Sequence, residues 1–126
     1  LVGIAALNAG VQYVLSHQKA IMEKEYFLLQ KLYEGLTGYV EFYSSLENST
    51  PIVAINIPGK DSAYVSDLLN YKYGIVTRCG AHCAPLMHKH LKTEEQGIVR
   101  LSVSFQNTIE DIDCVIRAIQ EISNDY

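Results

Sequence analysis

Helical and extended periodicities alternate along this chain in an order that leaves few folds open: helix, strand, strand, helix, strand, strand, helix. Over residues 3–36 apolar positions recur at helical spacing, with Ile4, Leu7, Val11, Val14 and Leu15 in one stripe. Ile21, Met22, Leu28, Leu29 and Leu32 form a second. A run of roughly thirty residues is long for a globular helix, so a kink is expected near Ser16-His17. Gly35-Leu36-Thr37-Gly38 then stops the helix, glycine supplying the backbone freedom a stop requires.

Residues 39–43 read as a short strand. The polar turn Glu47-Asn48-Ser49-Thr50-Pro51 leads into a strong one at 52–57, where Ile52, Ala54 and Asn56 alternate with Val53, Ile55 and Ile57. Pro58-Gly59 ends it. Asp61 or Ser62 can cap a helix running to about Tyr71, with Val65, Leu68 and Leu69 inward, before Tyr73-Gly74 stops it. Residues 75–77 make a brief strand, and 79–97 read as irregular or weakly helical. Residues 98–104 alternate as a strand, with Val99, Leu101 and Val103 on one face. Thr108 with Asp111 forms an acidic capping box for a last helix, whose inward stripe is Ile109, Ile112, Val115, Ile116 and Ile119. The whole predicts an α+β fold in a single domain, residues 1–126. It is a small α/β sandwich: a mostly antiparallel sheet with helices on one face.

Composition narrows the partners. The net charge is −4 and the ten basic residues are scattered, so no nucleic acid is expected. No membrane is expected either, because Asn8, Gln12 and Ser16 interrupt the apolar start well before about 18 residues. Nine tyrosines, against three phenylalanines and no tryptophan, suit half-wet docking surfaces. Three cysteines make no disulfide framework, and a reducing, cytoplasmic setting is expected. The start at Leu1, in mid-pattern and without methionine, leads to the expectation of a piece of a longer chain.

The chemistry-bearing stretch is Arg78-Cys79-Gly80-Ala81-His82-Cys83-Ala84-Pro85, followed by Arg100-Leu101-Ser102 and Asn107-Thr108. It places a thiol in a glycine-punctuated loop between two arginines, which suits sulfur attack on a bound amino acid. Spacing alone favours Cys83 as an inert core thiol, but the flanking Arg78, Gly80, His82 and Pro85 reverse that reading. Cys114, beside Ile112 and Val115, reads as plain packing. Arg100 taken alone reads as a surface arginine or half of a structural ion pair. Cys79, His82, Cys83, His88 and His90 offer thiolate and imidazole, yet Cys-x-x-x-Cys followed by His-x-His fits no common structural zinc pattern. No metal is expected, and a redox pair of Cys79 with Cys83 ranks lower still.

Tyr-Gly-Ile, then Arg-x-Gly-x-His-Cys-Ala-Pro, Gly-x-Val-Arg-x-Ser and Asn-Thr with acidic residues resemble the class V aminotransferases, most nearly the cysteine desulfurase and selenocysteine lyase-like group. The resemblance covers residues 3–122, is specific over 73–113, and matches the C-terminal small domain only. It implies a fold-type I enzyme dependent on pyridoxal 5'-phosphate, usually a homodimer, whose large domain holds the cofactor. It further implies that Cys83 is the catalytic cysteine, taking sulfur from cysteine and leaving alanine, with a possible sulfur-acceptor protein downstream. Arg100 would grip the substrate carboxylate, since a planar guanidinium meets both oxygens at once, with Arg78 and His82 in support.

Cys79 and Ala81 fall at variable positions of the motif. The family's cofactor-binding lysine directly follows a histidine in the large domain, whereas His88-Lys89 lies after the cysteine motif. No cofactor-binding residue is therefore expected in this chain. The large domain is expected to be missing, and the chain alone to be inactive. Two further readings stand beside this one: a non-catalytic interaction domain that kept the fold, and a class V aminotransferase with another substrate.

Overall fold

Strand alternation sorts the side chains of Ile52–Asn56 (β2) between two environments. Val53 and Ile55 are completely buried under helices, while Ile52 and Ala54 are half-buried on the opposite face. β2 is the central strand of a three-stranded antiparallel sheet, flanked by Glu41–Phe42 (β1) and Val99–Ser102 (β3). Its register pairs Phe42 with Ile55, and Val53 with Leu101. The helices are Val2–Leu36 (α1), Ser62–Tyr73 (α2), Pro85–Leu91 (α3) and Ile109–Asn124 (α4). The computed structural model describes residues 1–48, 50–80, 85–93 and 95–125.

One core forms where α1, α2 and α4 cover the Val53 and Ile55 face. It joins Leu28, Leu29, Leu32 and Leu36 of α1 to Val65 and Leu69 of α2 and to Ile112, Ile119 and Ile122 of α4. Helices on one face of an antiparallel sheet is the α+β arrangement that the periodicities imply. Both predicted N-caps are present. Asp61 accepts from the backbone N–H of Ala63 at 2.9 Å, and Thr108 accepts from that of Asp111 at 3.1 Å while Asp111 accepts back at 3.0 Å.

Several expectations need correction. α1 runs through Ser16-His17 without a break; Nδ1–H of His17 donates to the Tyr13 carbonyl at 2.8 Å within the helix. The first five turns of α1 contribute no buried residue to the core, so no packing there calls for the kink. Residues 75–77 form no strand, because Gly74 adopts a left-handed conformation and the N–H of Ile75 turns back to the Leu69 carbonyl, closing α2. Only Arg78 reaches the sheet, as an isolated bridge. The short helix α3, by contrast, agrees with the reading of 79–97 as irregular or weakly helical, with Pro85 at its first position, where a missing N–H costs nothing. Ile109 belongs to the exposed side of α4, and so does Cys114, which is not a packing residue.

Candidate functional site

Two arginines meet on the face of the sheet that α1, α2 and α4 leave uncovered. Arg78 and Arg100 form an antiparallel bridge in which each backbone N–H donates to the other's carbonyl, at 3.2 and 2.7 Å. Residues paired this way project their side chains to the same side. Arg100 lies directly across β2 from Ala54, which fixes that side as the one carrying Ile52, Ala54 and Asn56. Like charges held opposite one another oppose the pairing unless something negative sits between them. The ion pairs among the described residues are Lys19–Glu23 and Lys31–Asp113, so neither arginine has a carboxylate partner there. Arg100 is half-buried, Arg78 is exposed, and an anion can reach both.

The backbone around this pair is tightly built. Ile98 donates to the Gly80 carbonyl at 3.2 Å, and Gly97 takes a positive φ of 70°. A Cβ on Gly97 would meet the side-chain oxygen of Ser62 and come within 3.0 Å of the Gly80 Cα, so only glycine fits this approach. Gln96 ties the same turn to the end of β2, donating to the carbonyls of Ile57 and Lys60 at 3.2 and 2.8 Å. The arginine pair and Gly80 are therefore anchored on the sheet. Cys79 between them is half-buried. Cys83 and His82, expected to supply the nucleophile and its support, lie outside the described residues.

Sequence reading missed Asn56. It is buried, and its Nδ2 donates to the Gly97 carbonyl at 2.5 Å. Tyr43 neighbours it: burial pushes the Tyr43 hydroxyl above its ordinary range, the Asn56 amide opposes this, and the Glu41 carboxylate, accepting from the hydroxyl at 3.1 Å, adds to it. The signal was available, since an amide at the end of an otherwise apolar strand must find partners if it is buried.

Other groups fit functional roles less well. The seven lysines are exposed or at most half-buried. Among the described residues no group of three metal-ligating side chains comes together, and no helix is long and apolar enough to cross a membrane. A cavity of about 390 Å³ opens between the end of α2 and the start of α4, with Tyr73, Ser102, Asp111 and Cys114 on its walls.

Residues 1–115 match the family model described as aminotransferase class-V. The chain is 35% identical over 115 residues to a probable cysteine desulfurase of Methanothermobacter thermautotrophicus, covering 90% of this chain but 28% of that protein. It is 30% identical over 123 residues to a cysteine desulfurase of Pectobacterium atrosepticum, covering 95% of this chain and 29% of the relative. The apo cysteine desulfurase of Thermococcus onnurineus superposes with a TM-score of 0.82 at 28% identity, covering 91% of this chain and 29% of that one. The chain thus spans under a third of the length of these relatives.

Proposed function

Since the chain belongs to the class V aminotransferase family, we propose that it is the C-terminal small domain of a cysteine desulfurase-like enzyme, closing over an amino-acid substrate. The observation that carries this is the Arg78–Arg100 pair, two cations held side by side on an open face with no carboxylate partner among the described residues. Such a pair suits the carboxylate of an amino acid, with Arg100 as the clamp and Arg78 adding charge. Cys83 would accept the sulfur of cysteine, and the two arginines with His82 would favour its thiolate, the nucleophilic form.

The family implies pyridoxal 5'-phosphate in the full-length enzyme, where it withdraws electrons from the substrate. Residues outside this chain would hold it, in a large domain against which the exposed apolar stripe of α1 would pack. This chain alone would bind no cofactor and release no sulfur. A homodimeric, cytoplasmic enzyme passing sulfur to an acceptor protein completes the reading.

The test uses the full-length enzyme and separates the two roles. Cys83→Ala should abolish sulfur release from cysteine and leave substrate binding largely intact. Arg100→Ala should weaken binding roughly tenfold to a hundredfold, since hydrogen bonds to charged groups are worth about 1.5–3 kcal/mol. An equal fall in binding for both variants would mean the roles are misassigned. Full sulfur release by the Cys83 variant would point instead to a lyase-type or aminotransferase chemistry that needs no thiol, and wild-type inertness towards amino acids to a non-catalytic domain.

A further inference from the structure

Among the described residues two buried side-chain atoms lack a hydrogen-bond partner, and they are complementary: Nε of Arg100, a donor, and Oδ1 of Asn56, an acceptor. Buried polar groups are almost always paired, so each of these requires an explanation. The sheet brings them near each other. Ala54 is directly opposite Arg100, and Asn56 is two residues further along β2, on the same face and diagonal to Arg100. Diagonal neighbours on adjacent strands lie about 7–8 Å apart at Cα, within reach of a long side chain. Ala54 carries only a methyl group, so nothing bulky on β2 stands directly opposite the arginine.

The amide orientation follows from chemistry. The Gly97 carbonyl can only accept, so the Asn56 nitrogen faces it at 2.5 Å and the oxygen faces away. A guanidinium can meet a carboxylate along its side edge, through Nε and one Nη, or along its end, through both Nη atoms. With Nε buried, the side edge is closed to a ligand. The end edge remains, and Nε–H must then find its acceptor within the protein.

We propose that Asn56 is a positioning residue for Arg100: its Oδ1 accepts from Nε–H when an anion engages the guanidinium, directing both Nη atoms at the ligand carboxylate. This rests on the clamp reading of Arg100 and adds to it an end-on geometry and the residue that imposes it. The device is a donor and an acceptor stored unpaired on one face, to be joined by the ligand.

The chain holds three arginines, Arg78, Arg100 and Arg117, so their Nε–H signals in a proton–nitrogen NMR spectrum can be assigned with single Arg→Lys variants. Acetate is the probe, as the carboxylate alone. In the wild type, acetate should move the Arg100 Nε–H signal and slow its exchange with water at least tenfold. Asn56→Ala should lose that protection while acetate still perturbs the backbone of Arg100. Asn56→Asp keeps the acceptor but discards the donor to Gly97, and should protect Nε–H again at neutral pH. Equal loss in the Ala and Asp variants would reduce Asn56 to a tether for Gly97 and overturn the proposal, as would full protection in Asn56→Ala. Acetate leaving every Arg100 signal of the wild type unmoved would instead overturn the clamp reading, and this inference with it.

Discussion

Leu28, Leu29, Leu32 and Leu36 of α1 are at most 3% exposed, whereas Ile4, Leu7, Val11, Val14 and Leu15 of the same helix are 45–70% exposed. Both sets recur at helical spacing, and the chain offers no difference in residue type to tell them apart. What differs is the company: the last turns of α1 lie along α4 and the Val53–Ile55 face of β2, whereas the first turns contribute no residue to that core, Tyr13 meeting the ring of Phe105 beyond the helix. Periodicity reports that a face is apolar, and not what it faces. A contiguous exposed apolar stripe of this kind marks a surface meant to be covered. Helicity in that half relies on propensity and on whatever covers it.

The largest effect should come from truncating the buried half. Leu32→Ala should destabilise by about 2–5 kcal/mol in urea unfolding, from lost transfer energy and the cavity left behind. Leu7→Ala in the same experiment should change stability by less than about 0.5 kcal/mol. Similar losses in the two variants would break the comparison. Gly35 comes next, because it lies where α1 meets α4 and a methyl group there would run into Ile116. Gly35→Ala should cost about 1–3 kcal/mol despite its better helix propensity. A stabilised variant would show that the α1–α4 contact yields easily.

Thr108→Ala, which removes the cap of α4, should cost about 1 kcal/mol. The same box sets a small pH dependence. The Thr108 backbone N–H holds the Asp111 carboxyl below its ordinary range, helped by Asn107. A depressed folded-state pKa stabilises above the unfolded value of about 3.9 and is lost as pH falls through the lower folded value. Wild type should therefore lose stability below about pH 4 slightly faster than Asp111→Asn. Parallel acid limbs for the two would mean the box contributes nothing through Asp111.

Much of the fold was legible because short-range rules decided it. Alternation gave β2 and β3, and the stop at Gly74 and the caps at Asp61 and Thr108 were readable as local chemistry. Residues 75–77 misled because their apolar character fits a strand, while the bond from Ile75 to Leu69 belongs to the closing of α2. Cys114 misled because its neighbours Ile112 and Val115 are apolar, yet it projects from the helix on the exposed side. Arg78 and Arg100 were separately visible as candidates; that they sit opposite one another depends on strand pairing between positions 78 and 100, which no local pattern encodes. Asn56 was hidden in the same way, its partner Gly97 lying 41 residues on.

The length of α1 also has a mechanical meaning. Thirty-five residues at about 1.5 Å each make a rod of roughly 50 Å, whose buried residues all lie in its last turns. A rotation of about 5° at the packed end would carry the far end through roughly 4–5 Å on that length. The arginine face is fixed to the same end, since Leu32 and Leu36 pack in one core with the strands that carry it. A partner that covers Ile4, Leu7 and Val11 would therefore hold the same helix whose last turns pack behind the strand that carries Arg100.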